Sequence, residues 1–173
     1  MSGQPAILYS ADDIAARLAK LGRTLAALPE RPQVAAPVLV GAFVFAADLV
    51  RELARQGVQL ETEMIWLRSY GNERTGSAIS VLAAPTDHIK GKHVLLVDGV
   101  LDRGHTVVRA TKLLREAGVA SVTTVVAVDK RRPDAVARAD YALYTGVQDF
   151  IVGYGMDDAR RYRELPYIGK VEV

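Results

Sequence analysis

The sequence predicts an α/β domain with a central parallel sheet flanked by helices, and three observations predict it. Val94–Val97 is an unbroken apolar run, the pattern of a strand buried on both faces. Ser121–Val128, reading SVTTVVAV, is a second such run. Around them stand segments whose apolar residues recur every three or four positions, as a helix requires. Strands alternating with helices point to a parallel sheet. At 173 residues the chain is expected to form a single domain over 1–173, with enough length for a full core.

Each element follows in order. Ser10 with Asp13 makes a variant of the capping box, and Ile14, Leu18, Leu21, Leu25 and Leu28 form the apolar stripe of a first helix, ended by Pro29. Pro32 and Pro37 lead into a short strand at Val38–Val40, and Gly41 turns the chain. Phe43, Ala46, Ala47, Val50, Leu53 and Ala54 give a second helical stripe, closed by Gly57. Gln59–Leu67 alternates, with Leu60, Thr62, Met64 and Trp66 on one side of a strand. Residues 69–90 have no clear period, the pattern of a lid, a hairpin or a partly disordered segment. Val107, Ala110, Thr111, Leu114 and Ala117 mark a third helix. Arg131–Asp134 is a turn, Tyr141–Tyr144 a further short strand, and the tail is rich in Gly, Tyr and Arg.

Composition removes several function classes. Half the residues are hydrophobic and 24% are charged, which describes a soluble globular protein. The net charge of +2 is too small to argue for nucleic acid. The chain has no cysteine, which excludes disulfides, zinc thiolates and thiol nucleophiles. The first residues lack a basic start and an apolar core, and no apolar run approaches membrane-spanning length, so the expected location is cytoplasmic and no membrane partner is expected.

The chemistry concentrates in VLLVDGVLDRGHT, residues 94–106. Asp98 closes the apolar strand, Asp102 follows four residues on, and Gly104, His105 and Thr106 open the third helix. Ligands of open α/β sheets bind at such strand ends. Free N–H groups and the dipole of a helix start suit a phosphate, while carboxylates suit sugar hydroxyls, Mg²⁺ or a proton transfer. On pattern alone the stretch reads equally well as a strand–turn–helix with two solvated acids. Lys130 by itself is a lysine at a strand end, Phe150 a core aromatic, and Arg160, Arg161 and Arg163 a solvated basic face. His88 and His93 have no partner at metal-ligand spacing.

Five blocks in chain order carry a resemblance: LVGAFVFAADL (39–49), LRSYGN (67–72), GKHVLLVDGVLDRGHT (91–106), VDK (128–130) and DFIVGYGMDDARRYRELPYIGKV (149–171). On them the chain resembles the type I phosphoribosyltransferases, and within that family the hypoxanthine-guanine group. The resemblance implies a sheet with a small hood formed by the N- and C-terminal segments. It also implies purine salvage: a 6-oxopurine displaces Mg²⁺-bound diphosphate from phosphoribosyl diphosphate. Asp102 is then the general base. Leu39, Val40, Gly41, Ser69, Tyr70, Asp98, Gly99, Arg103, Gly104, His105, Thr106 and Arg163 form the phosphoribosyl diphosphate site, with Ser69 and Tyr70 on a mobile lid. Lys130, Phe150, Ile151 and Asp157 form the purine site, Asp98 and Asp157 face the metal, and the family implies a homodimer or tetramer. The loop at Leu39–Val40 is expected to carry a cis peptide when diphosphate or a mimic is bound.

Three positions depart from the family pattern: Gly99 stands where a second acid is usual, Arg103 where a small hydroxyl residue is usual, and Val40 where the side chain is usually polar or basic. Arg103 is open to holding phosphate, filling the phosphate pocket or pairing with Asp102. The departures imply lowered activity, or alternatively a weakened relative that binds base or nucleotide as a sensor. Gly99→Asp is expected to restore a ribose contact. An RNA-binding regulator would need a continuous basic face built from Lys130–Arg132 and Arg160–Arg163.

Overall fold

The structure, a computed structural model, describes residues 4–70 and 78–171. Its strands are β1 (Ala6–Tyr9), β2 (Val34–Leu39), β3 (Glu61–Thr62), β4 (Ile65–Tyr70), β5 (Ala78–Ala83), β6 (His93–Leu101), β7 (Ser121–Asp129), β8 (Tyr141–Thr145), β9 (Phe150–Val152) and β10 (Ile168–Val171). Its α-helices are α1 (Ala11–Ala26), α2 (Phe43–Arg55) and α3 (His105–Glu116).

The main sheet runs in the order β5-β4-β2-β6-β7-β8, with β3 paired to β2. It is parallel except for β5, which turns back against β4. Val94–Val97 lies in the interior strand β6 and is buried. Alternation along β6 feeds two cores. Leu95 and Val97 join the face covered by α1 and α2, with Leu25, Phe45, Leu49 and Leu53. Val94 and Leu96 join the face covered by α3, with Ala110 and Leu114. A strand with helices on both faces must be apolar throughout, which is why this run shows no polar alternation. The capping box at α1 forms as read: Ser10 Oγ accepts from Asp13 N at 3.1 Å, and the Asp13 carboxylate accepts from Ser10 N at 3.2 Å.

One expectation changes, and one of the readings left open for 69–90 is found. The single strand over 59–67 is divided into β3 and β4, which pair with successive parts of β2. The break falls at Glu63, whose N–H still donates to Ala35 O at 2.9 Å while its buried carboxylate turns to accept from Thr86 N at 3.0 Å. The 69–90 segment is a β4–β5 hairpin at its base, continuing into a 3₁₀ turn at Asp87–Ile89. The lid is expected to be mobile over residues 71–80; of these, 71–77 lie outside the described residues, and 78–80 begin β5.

The hood is a three-stranded antiparallel sheet, β1-β10-β9. Tyr9 stacks on Tyr144 with ring centroids 3.5 Å apart, and the Arg17 guanidinium lies 4.5 Å from the Tyr144 ring. Tyr154 is buried and donates to Asp48 Oδ2 at 2.9 Å, tying the tail to α2. The hood therefore arches over the carboxyl ends of β6 and β7.

Candidate active site

A cavity of about 350 Å³ opens at those strand ends, between the main sheet and the hood. It is lined by Gly41, Asp98, Gly99, Asp102, Lys130, Phe150, Ile151, Asp157 and Arg163 from the expected set. Val100, Arg132, Gln148 and Met156 complete the wall. Among the residues whose side chains are described, Leu39, Val40, Arg103, Gly104, His105 and Thr106 are not in that wall. Leu39 and Val40 lead into Gly41, Ser69 and Tyr70 end β4, and Arg103–Thr106 carry the chain from Asp102 into α3.

Asp102 is the centre of one group. Lys130 is buried, with Nζ 3.4 Å from Asp102 Oδ2. Arg132 also grips this carboxylate, Nε on Oδ1 and an amino nitrogen 3.5 Å from Oδ2. Arg103 has its Nε 3.6 Å from Asp134 Oδ2, so the partner once open to Arg103 is taken by Arg132 and Lys130. Phe150 is 42% exposed, so its ring is available for stacking rather than spent in the core.

Asp98 forms a second group and is chemically different. Its carboxylate is buried and accepts the Gly99 N–H at 2.7 Å. Burial pushes the carboxyl up to about 7, with the Gly99 hydrogen bond opposing. Among the described residues no lysine or arginine pairs with it. Across the cavity, Arg163 pairs with Asp157 at 2.7 Å and donates to Gly155 O at 2.6 Å, while Asp157 also accepts from Arg160 N at 2.7 Å.

The loop from β2 sits between these groups. The Leu39–Val40 peptide is cis. The Gly41 carbonyl is seated between two glycines: a Cβ at Gly99 would lie 2.7 Å from that oxygen, and one at Gly155 would lie 2.8 Å from it. Gly99 does not adopt a left-handed φ; what it supplies is close approach. The expectation that Gly99→Asp restores a ribose contact is corrected here, because the new side chain would first have to push the Gly41 loop away.

At the start of α3, Gly104 caps the helix with φ 89 and no side-chain hydrogen bond, the arrangement in which a helix start can hold an anion. A Cβ at Gly104 would meet Ala137 at 2.8 Å, so this turn is packed against the 134–137 loop. The arginines are dispersed by their acids: Arg131 on Asp129, Arg132 on Asp102, Arg161 on Asp158 and Arg163 on Asp157. Those residues do not make the continuous basic face an RNA-binding role would need. Reading the sequence missed Arg132, Gln148 and Met156; the one available signal was Arg132 standing two residues after Lys130.

Comparison with known proteins agrees with this geometry. The phosphoribosyl transferase domain family matches residues 5–159. The hypoxanthine phosphoribosyltransferase of Haemophilus influenzae is 34% identical over 171 residues, covering 95% of this chain and 94% of that protein. That of Escherichia coli K12 is 36% identical over 168 residues, covering 92% and 90%. The hypoxanthine phosphoribosyltransferase of Trypanosoma cruzi, solved with the product IMP, superposes with a TM-score of 0.87 at 31% identity, covering 99% of this chain and 97% of that one.

Proposed function

The chain belongs to the phosphoribosyl transferase family, and on that premise we propose that it is a purine salvage enzyme joining a 6-oxopurine to the ribose 5-phosphate of phosphoribosyl diphosphate. The observation that carries the reading is the Asp102–Lys130 pair, 3.4 Å apart in the cavity beside the exposed Phe150 ring. A carboxylate that accepts a ring proton stands next to an ammonium that donates to an exocyclic oxygen, and an aromatic face is at hand for the base. Nothing in the relatives favours the regulatory alternative.

The residues divide the work. Asp102 takes the proton from the base. Lys130 donates to the 6-oxo group, which selects oxopurines over adenine. Phe150 stacks on the base, Ile151 offers backbone contacts to its edge, and Asp157 closes that side. Gly104, His105 and Thr106 cradle the 5′-phosphate at the α3 start. Arg103, beside them, is available to the same phosphate. Leu39, Val40 and Gly41 present backbone to the diphosphate, and Arg163 holds its oxygens. Ser69 and Tyr70 border the lid. Asp98 accepts from a ribose hydroxyl, and Gly99 leaves that contact single.

The residues present fit Mg²⁺. Asp98, a buried carboxylate with no cation paired to it among the described residues, invites one. Among the described residues no cluster of three ligands exists to hold a metal alone. That combination suits an ion held by one or two carboxylates together with substrate oxygens, which is the habit of Mg²⁺. Asp98 and Asp157 would face it, and the ion would supply the charge that lets diphosphate depart.

The same reading makes residues 1–173 one phosphoribosyltransferase-like domain, cytoplasmic, and assembled as a homodimer or tetramer. Exposed Val40, Phe43, Met64 and Trp66 support assembly as an apolar surface beside the Gly41 loop. Among the described residues no helix is long and apolar enough to cross a membrane. The test is a steady-state assay with phosphoribosyl diphosphate, Mg²⁺ and each of hypoxanthine, guanine and xanthine, read as diphosphate release. Turnover with at least one is expected; binding of nucleotide without turnover on any would overturn the enzyme in favour of a sensor.

A further inference from the structure

Arg132 belongs to none of the sequence blocks, yet its guanidinium forks onto the carboxylate of Asp102. The turn that places it is held at several points. Lys130 N donates to Leu101 O at 3.0 Å, and the Lys130 carbonyl accepts from Gln148 Nε2 at 2.8 Å. Arg131 adopts φ 55, a left-handed conformation that non-glycine residues seldom take. The buried Asp129 carboxylate secures it, accepting from Arg131 N at 2.8 Å and facing Arg131 Nε at 3.0 Å. The Arg132 carbonyl accepts from Arg138 at 2.9 Å and from Ala135 N at 3.2 Å. The Arg131 side chain points out, and Lys130 and Arg132 on either side of it both reach Asp102.

We propose that Arg132 is a positioning residue for the transfer reaction: its fork, with Nε on Oδ1 and an amino nitrogen 3.5 Å from Oδ2, fixes the plane of the Asp102 carboxylate, and Oδ2, whose contacts to Arg132 and Lys130 are the longer ones, takes the proton of the base. The inference rests on Asp102 being the general base. Planar guanidinium–carboxylate pairing fixes orientation as well as charge, which a single-point donor does less well. Oδ2 is also the oxygen that faces Lys130, so the proton acceptor and the donor to the exocyclic oxygen lie on one side of the carboxylate. In the step, a ring nitrogen of the base bonds to C1 of the ribose as the C1–O bond to diphosphate breaks. The electron pair of that bond leaves on diphosphate, and the ring proton passes to Oδ2. A carboxylate free to rotate would still let the base bind but would meet its proton less often. The loss should therefore fall on kcat rather than on KM.

The test measures kcat and KM for hypoxanthine, with saturating phosphoribosyl diphosphate and Mg²⁺, in wild type, Arg132→Ala, Arg132→Gln, Arg132→Lys, Asp102→Asn and the double variant Asp102→Asn with Arg132→Ala. Thermal melts confirm that each variant folds, and Arg132→Gln keeps the side-chain volume if the alanine variant does not. We expect Arg132→Ala and Arg132→Gln to lower kcat about tenfold or more with KM changed less than about threefold, Arg132→Lys to recover part of the loss, and Arg132→Ala to cost almost nothing further once Asp102 is Asn. An equal loss in both backgrounds would make Arg132 merely structural and overturn the proposal, as would an unchanged or raised kcat in Arg132→Ala. A wild type without turnover overturns the underlying function, and the inference falls with it.

Discussion

At the Asp102 end of the cavity the acid has partners from the chain itself: Lys130 stands 3.4 Å away and Arg132 forks onto it. At the Asp98 end the carboxylate is buried with one backbone N–H at 2.7 Å and, among the described residues, no cation. On the proposed reading the first is the base end, whose acid is already paired by the chain, and the second is the ribose end, a buried acid that burial makes costly to ionise and that a metal and a sugar hydroxyl would complete. The departures from the family pattern divide along the same line. In the proposed reading all three departures, Gly99, Arg103 and Val40, fall on the ribose, phosphate and diphosphate side, while the proposed base-side residues Asp102, Lys130, Phe150 and Asp157 match the blocks that carry the resemblance.

The largest effect expected is on the base end. Asp102→Asn should lower kcat by about a hundredfold to ten-thousandfold, the usual worth of a general base. Its KM for hypoxanthine should stay within a few-fold, since Lys130 and Phe150 still hold the base. A kcat within threefold of wild type would remove Asp102 from the chemistry and dissolve the contrast between the ends.

Next in size is the pH dependence set by Asp98. Its carboxyl rises from 3.8 in the open chain to about 7 when folded, through burial. Between those values the folded protein keeps a proton that the unfolded chain releases. This group's contribution to stability is therefore full below the lower value, falls as pH rises through the window and is gone above about 7. At about 1.4 kcal/mol per pH unit, the fall amounts to several kcal/mol at most. Denaturant titrations from pH 4 to pH 8 should show the slope in wild type and a flatter profile in Asp98→Asn. Parallel profiles would mean that the ribose end is not held by an uncompensated acid.

A smaller effect is expected at Gly99. A Cβ there would lie 2.7 Å from the Gly41 carbonyl, so Gly99→Ala should destabilise by about 1–3 kcal/mol, as overpacking does. For a chain of this size that is roughly a 2–10 °C drop in Tm. Gly99→Asp should show the same drop and no fall in KM for phosphoribosyl diphosphate. A Gly99→Asp protein with unchanged Tm and improved KM would show that the loop yields easily and that only the acid was missing.

What the sequence reveals of this molecule follows the range of the interactions. Val94–Val97 reads as a doubly covered strand because burial on both faces leaves a local signature. Ser10 with Asp13 reads as a cap because the reciprocal hydrogen bonds span three residues. Asp102 and Lys130 directly follow the ends of β6 and β7, which parallel topology must bring together, while Asp98, read as the end of its strand, lies within β6, which runs on to Leu101. The first strand, Ala6–Tyr9, escapes notice because four residues carry too little pattern and its partner Ile168–Val171 lies at the other end of the chain. Arg132 escapes because its direction depends on the left-handed backbone of Arg131, which a non-glycine residue does not announce. Gly99 reads as a missing acid, whereas the fold uses it as the floor under Gly41, a contact between positions 58 residues apart.

The most direct test is a competition at equal concentrations of hypoxanthine and adenine, with phosphoribosyl diphosphate and Mg²⁺, reading the two nucleotide products. A site with a preformed acceptor at Asp102 and a buried donor at Lys130 should favour inosine 5′-phosphate over adenosine 5′-phosphate by about a hundredfold or more, because the 6-amino group of adenine is itself a donor and gives the Lys130 ammonium nothing to donate to. Comparable amounts of the two nucleotides would contradict the account.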